Sequence, residues 1–303
     1  MITKYSMKKS RNQEVIKYTD KHFTPKSQER IRECGDWIDF FANREVSKLK
    51  VCQANFCEKR FCPMCAWRKA KKDALRIAVL MKYIEQEHKK AFVSVTLTAP
   101  NVKAEGLKDE ITRYNKAFKK MMERKVFKTI NKGYIRKLEI TYNAERNDYH
   151  PHFHVVITVN PSYFANRTYI KQETWLKEWQ AVMSDTSISQ VYVKRFDSNT
   201  SEIAKYAAKD SDYARSQEVF DAFYKALKGR QVLTYNGLFA EANKKYKAKE
   251  LEHYKDVDDT EYCYRLLYRW GMGEYVEAER RELTDKERRE VNKVLIDEVE
   301  IDD

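Results

Sequence analysis

Along the chain, apolar residues recur at two spacings, and the alternation between them sets out a series of elements. Ala91–Ala99 (AFVSVTLTA) is a β-branched run halted by Pro100-Asn101, which predicts a strand. From Gly106 to Ile130, Leu107, Ile111, Tyr114, Phe118 and Met121 fall near the 3.6-residue period of a helix. Tyr134–Tyr142 alternates as a strand, with Leu138 and Ile140 on one face and Lys137, Glu139 and Thr141 on the other. Asn143 to Asp148 reads as a turn into a further strand, Tyr149–Val159, whose tail is hydrophobic and β-branched. Lys171 to Met183 is a helical stretch carrying Trp175 and Trp179 at i, i+4, and Ser189–Phe196 is a fourth strand. The order β-α-β-β-α-β predicts an α+β fold on the split βαβ, ferredoxin-like plan, an antiparallel sheet with helices on one face.

Flanking segments carry weaker patterns. Residues 1–33 are polar, basic and without a steady period, and read as a flexible arm. Packed structure begins at Cys34, and residues 34–88 form a cysteine-rich segment running into a long helix, Pro63 to Glu87, with Leu75, Ile77, Leu80 and Ile84 on its apolar side. Residues 89–245 hold the predicted sheet domain. Within them Asn199–Asp210 opens on N-cap residues and continues with helix formers, Val219–Leu227 is helical, and Leu233–Phe239 reads as a turn. Residues 246–303 are read as a helical extension ending in an acidic tail.

Charge narrows the partner class. Lys and Arg outnumber Asp and Glu by 59 to 46 in 303 residues, a net charge of +13, and the acids gather after Glu274. Twenty Tyr, fourteen Phe and five Trp are interleaved with the bases. Cations suit phosphates and aromatic faces suit unstacked bases, so nucleic acid is the expected partner. No stretch approaches the ~20 apolar residues of a membrane span, and Met1 to Ser10 lacks the apolar core of a signal peptide. A cytoplasmic protein is expected, with its six cysteines as thiols or metal ligands rather than disulfides.

Three groups of residues carry candidate chemistry. Cys52, Cys57, Cys62 and Cys65 are spaced C-x4-C-x4-C-x2-C, close enough to surround one tetrahedral zinc, with Cys34 as a substitute for one of them. His150, His152 and His154 alternate, so all three project from one face of a strand. Pro151 fits a strand's start, which leaves His152 and His154 the pair most firmly held. Two imidazoles make half a metal site; Glu139, on the polar face of the preceding strand, is the expected third ligand and His150 its competitor. On the helix from Asn199, Glu202, Tyr206, Lys209 and Tyr213 form one stripe of carboxylate, phenol and ammonium.

Taken together these pieces resemble the rolling-circle replication initiators (Rep proteins) of small bacterial plasmids, in the HUH endonuclease superfamily. Phe92–Asn101 resembles the family's first motif, His152-Phe153-His154 followed by Val155-Val156-Ile157 its histidine motif, and Glu202-x3-Tyr206-x2-Lys209 the nucleophile motif of its single-tyrosine plasmid branch. The resemblance covers about residues 34 to 245. It implies Mg²⁺ or Mn²⁺ on His152 and His154, although imidazoles alone suit zinc equally. It further implies attack by Tyr206 on a phosphodiester, giving a 5′-phosphotyrosyl link and a free 3′-hydroxyl, with Lys209 assisting and Glu202 activating water for the closing cleavage. The implied partners are plasmid origin DNA, nicked in a hairpin or single-stranded site, and a host helicase and polymerase.

Rival readings make different predictions. A transposase or relaxase would use the same core, but helicase motifs are missing and the cysteine-rich front departs from the smallest transposases. A non-catalytic zinc-containing DNA-binding protein would bind without nicking and would ignore Tyr206→Phe. A zinc hydrolase is disfavoured by the lack of an H-E-x-x-H helix.

Overall fold

The computed structural model describes residues 2–165, 168–196, 212–292 and 294–301. Among them are nine helices and nine strands. The first half contains α1 (Ile2–Val15), α2 (Pro25–Arg32), β1 (Trp37–Asn43), β2 (Leu49–Ala54), α3 (Pro63–His88), β3 (Ala91–Leu97), α4 (Ala104–Glu123), α5 (Lys125–Ile130) and β4 (Gly133–Asn143). The second contains β5 (Asp148–Val159), α6 (Gln172–Met183), β6 (Val191–Phe196), α7 (Gln217–Leu227), β7 (Leu233–Gly237), α8 (Leu238–Lys247), β8 (Tyr262–Gly271), β9 (Glu274–Glu282) and α9 (Asp285–Val291). The described residues fall into two compact units, one drawn from 1–75, 207–217 and 255–303, the other from 76–206 and 218–254.

The second unit is built on an antiparallel sheet in the order β6-β3-β5-β4-β7. One face of β5 is wholly apolar: Phe153, Val155 and Ile157 are buried. Against it lie α4 and α6, with Tyr114 and Phe118 edge-on to Phe153 and Tyr114 edge-on to Trp179. The 3.6-residue apolar period of α4 therefore supplies the core layer, each such side chain contributing about 1.5–3 kcal/mol of burial. The predicted single helix over 106–130 breaks at Arg124, which is extended (φ −66°, ψ 142°) and ion-paired with Glu178 of α6.

Helices on one face alone does not describe this sheet. Phe239 of α8 packs on Phe92 of β3, and Phe92 lies on the face opposite that of Phe153. The stretch expected to be a turn at 233–239 is strand β7, paired with β4. That pairing depends on two glycines. A Cβ on Gly237 (φ +52°) would stand 2.6 Å from the Lys132 carbonyl oxygen, and one on Gly133 2.6 Å from that of Asn236.

The first unit corrects two further expectations. Residues 2–32 are not a loose arm but two helices, and α1 buries Tyr5, Lys8, Lys9, Asn12 and Val15. Two of its buried polar side chains are anchored by hydrogen bonds: Lys9 Nζ donates to the carbonyls of Arg32 and Cys34 and to Asp36, and Asn12 Nδ2 donates to the Ile31 carbonyl. Residues 262–282 are not helical but a hairpin in the sheet β2-β1-β8-β9. Arg265 of β8 is held by Asp39 of β1 at 2.6 Å and by Glu287 of α9, which also closes a capping box with Thr284. The extension after 246 is thus centred on a strand hairpin, and its acidic end is tied down, with Lys71 Nζ 2.7 Å from both Glu298 and Glu300.

Candidate metal centre and active site

In the second unit, register places the site. On β5 the polar alternate positions are His150, His152 and His154; directly across on β4 stand Thr141, Glu139 and Lys137. Residues opposite one another share a face. On the other side His154 faces Thr96 of β3, which in turn faces Tyr192 of β6. Rows of polar side chains therefore cross the sheet above a layer whose reverse side is core.

Two imidazoles and one carboxylate converge. His154 Nε2 lies 3.1 Å from His152 Nε2 and 3.3 Å from Glu139 Oε2, and His152 Nε2 lies 3.9 Å from that oxygen. His152 Nδ1 stands 3.2 Å from the His150 carbonyl oxygen, and since a carbonyl only accepts, Nδ1–H donates and Nε2 keeps its lone pair. His154 Nδ1 is 3.3 Å from Thr96 Oγ1. Burial pushes His152 down to about 4 and so keeps it neutral. Burial raises the Glu139 carboxyl, but the hydrogen bond to His154 and the Lys137 charge outweigh it and hold the group at about 2. Lys137 Nζ, itself buried, is 3.7 Å from the same Glu139 oxygen.

This donor set fits a divalent ion. Ligand atoms about 2.1 Å from one octahedral ion and at right angles to each other stand about 3 Å apart, near the 3.1 and 3.3 Å found at His154, while the His152–Glu139 pair is wider at 3.9 Å. Three protein ligands leave positions open for substrate oxygens. His150 stands beside the group, its ring centroid 5.2 Å from that of His152, and is not among the three converging ligands.

The approach to the site is also braced. Asn101, just past Pro100, donates to Asp148 at 2.7 Å, and Val102 and Tyr149 exchange backbone hydrogen bonds. The stop after β3 is thereby fastened to the start of the histidine strand. Glu202, Tyr206 and Lys209, with the helix expected over 199–210, lie outside the described residues. Tyr213 is described: it is buried, edge-on to Phe61, in the first unit.

A second group forms in the first unit. Cys34, Cys57, Cys62 and Cys65 bring their sulfurs together, with Sγ–Sγ separations of 3.5 Å for Cys34–Cys65 and Cys34–Cys62 and 3.7 Å for Cys57–Cys65. Tetrahedral Zn–S bonds of about 2.3 Å require sulfurs about 3.8 Å apart. The backbone amides of Cys57 and Glu58 donate to Cys34 Sγ and Cys65 Sγ, which favours thiolate character. Without a cation the four share protons: hydrogen bonding from Cys34 lowers Cys57 and Cys65, whereas the bond to Cys57 raises Cys34 and burial raises Cys62. Cys52 is not with them. It stands on β2, partly exposed, its thiol raised by burial and by the Asp39 charge.

Sequence reading did not single out Thr96, which stands against His154, or Lys137, which stands against Glu139, and it set Cys52 rather than Cys34 with the other three thiols. Thr96 lies in a motif with an evident β pattern, and Lys137 shares Glu139's strand face, so alternation alone pointed to both. Cys34 is joined to the others only by tertiary folding.

The chain matches the model of the replication protein family Rep_1, described as Replication protein, over residues 48–275. It is 47% identical to a protein from Staphylococcus aureus named Protein rep, over 70% of this chain and 95% of that protein. A Protein rep of Bacillus amyloliquefaciens is 33% identical over 75% of each chain, and one of Streptococcus pneumoniae 31% identical over 74% of this chain and 73% of its own. No solved structure matches. Among the described residues no helix is long and apolar enough to cross a membrane. The chain belongs to the replication protein family.

Proposed function

We propose that this protein initiates rolling-circle replication of a plasmid by nicking one strand at its origin. The observation that carries this reading is the convergence of His152, His154 and Glu139 on one sheet face of a replication-family chain. The strand order β6-β3-β5-β4, with α4 and α6 on one face, is also the arrangement that a ferredoxin-like HUH nuclease requires.

Phosphodiester cleavage needs an in-line nucleophile and compensation for charge on the non-bridging oxygens. His152, His154 and Glu139 would hold Mg²⁺ or Mn²⁺, which when bound supplies Lewis-acid polarisation of the scissile phosphate. The Tyr206 phenol attacks phosphorus, the P–O3′ bond breaks, and a 5′-phosphotyrosyl link forms while the 3′-hydroxyl is left as a primer. Lys209 favours the phenolate, whose ordinary pKa is about 10. Glu202 takes a proton from the water that ends the cycle. The substrate strand must be unpaired at the nick, which makes a hairpin loop in origin DNA the fitting partner, with a host helicase and polymerase acting afterwards.

The Cys34-Cys57-Cys62-Cys65 group is a structural zinc site on this reading, since four thiols close the coordination sphere. The test is incubation with supercoiled plasmid carrying the protein's own gene and flanking DNA, in Mg²⁺ or Mn²⁺. Nicked circles with protein on the 5′ end, lost in Tyr206→Phe, support the proposal. Binding without nicking under either metal refutes it and leaves a DNA-binding protein.

A further inference from the structure

We infer that Thr96 is a positioning residue for the metal-binding nitrogen of His154. The inference rests on the metal role proposed for Glu139, His152 and His154, and it gives a task to the first motif, which the mechanism above leaves idle.

An imidazole binds a metal through a deprotonated nitrogen, and which nitrogen that is depends on what the other one meets. For His154 the nitrogen facing the other ligands is Nε2, 3.1 Å from His152 Nε2 and 3.3 Å from Glu139 Oε2. Its proton must therefore reside on Nδ1, 3.3 Å from Thr96 Oγ1. The equivalent position on His152 meets the His150 carbonyl, a fixed acceptor. For His154 the partner is a hydroxyl, which accepts or donates as needed. With no ion, Glu139 favours a proton on His154 Nε2, and the threonine hydroxyl donates to Nδ1. With the ion bound, the proton moves to Nδ1, and the same hydroxyl turns to accept it. A hydroxyl serves both states, so loading the site requires no movement of the strand.

The placement is built into the sheet. Thr96 is directly opposite His154 in the β3–β5 register, while its neighbours Val95 and Leu97 point into the core. A β-branched side chain on a strand has few χ1 choices, so the hydroxyl is held toward the ring rather than free to swing away. Of the two polar residues in Phe92–Leu97, Ser94 and Thr96, this gives Thr96 a task.

The test measures Mn²⁺ binding to the whole protein by calorimetry and electron paramagnetic resonance, for wild type, Thr96→Val, Thr96→Ser and His154→Ala. Thr96→Val keeps the shape and removes the hydroxyl; loss of such an outer partner costs about 10–100-fold in metal affinity. Thr96→Ser should bind within a few-fold of wild type, and ¹⁵N shifts of the loaded protein should show the Nδ1–H form of His154. Raised Mn²⁺ should restore nicking by Thr96→Val, with KM for origin DNA unchanged. Wild-type affinity in Thr96→Val, or equal losses in the valine and serine variants, overturns the inference. If His154→Ala also binds as wild type, the metal-site reading itself fails; if only His154→Ala loses binding, the role of Thr96 alone is refuted.

Discussion

Replacing Cys34 by serine should strip the protein of zinc, whereas replacing Cys52 should not. The three measured sulfur separations, 3.5, 3.5 and 3.7 Å, are within a few tenths of an ångström of a zinc tetrahedron, so the ion needs little rearrangement. Structural zinc contributes roughly 10–16 kcal/mol of apparent binding free energy in small zinc peptides. If one thiolate of four carries even a third of that, its loss costs about 3–5 kcal/mol, or roughly two to four orders of magnitude in affinity. That is comparable with the whole stability of a modest domain, about 5–15 kcal/mol. Cys52, partly exposed on β2, should change stability by only about 0.5 kcal/mol when replaced. The assay is zinc per chain by mass spectrometry after dialysis, together with thermal melts with and without a chelator. Retention of zinc by Cys34→Ser and its loss from Cys52→Ser would refute the assignment, and a zinc-free wild type would refute the site.

Three other outcomes follow from the geometry. Metal-free protein should lose stability as pH falls from 6.5 toward 4, because the unfolded chain protonates its histidine before the buried His152 does. Between pH 7 and 5 this is worth about 2 kcal/mol, measured as a fall in the urea midpoint that His152→Gln should largely abolish. Glu298→Gln with Glu300→Gln strands the Lys71 ammonium, whose side chain is 1% exposed; the cost should be roughly 2–3 kcal/mol, below that of a fully enclosed pair because Glu300 is half in water. Lys71→Met should cost less, and equal melting temperatures for all three proteins would contradict this. Gly237→Ala should destabilise by about 2–4 kcal/mol in urea titrations, through clash as well as strain. Gly229→Ala, also at positive φ but with nothing within 4 Å, should cost only about 1 kcal/mol.

Much of the second unit was legible because its signals are local. Alternation put Glu139 on the polar face of β4 and the histidines on one face of β5, and the succession of periods gave the order of elements from β3 to β6 along the chain. What escaped was held by distant or polar contacts. Lys8, Lys9 and Asn12 are buried in α1, so a helix that packs through lysine and asparagine shows no apolar stripe. The β8–β9 hairpin is laced with charge, and Tyr262, Leu266, Leu267 and Trp270 fall at i, i+4, i+5 and i+8, a spacing that a helix face fits as well as a strand does. Spacing suggested Cys52 because it is near in sequence, yet a neighbour in space, Cys34, takes the fourth position.

The sheet β2-β1-β8-β9 has a consequence for how the chain is made. β1 meets β2 at once, but its other neighbour, β8, is translated only after the whole sheet of the second unit. At about 5–20 residues per second, that leaves the far edge of β1 bare for roughly 10–40 s on the ribosome. The entropy of closing so long a loop is modest, since each doubling adds only about 0.6 kcal/mol; the exposure lies in the waiting. An open strand edge is a template for other chains. A transcript cut after residue 254 would therefore yield every strand of the histidine sheet together with a permanently sticky front, and aggregation of that product would originate at β1.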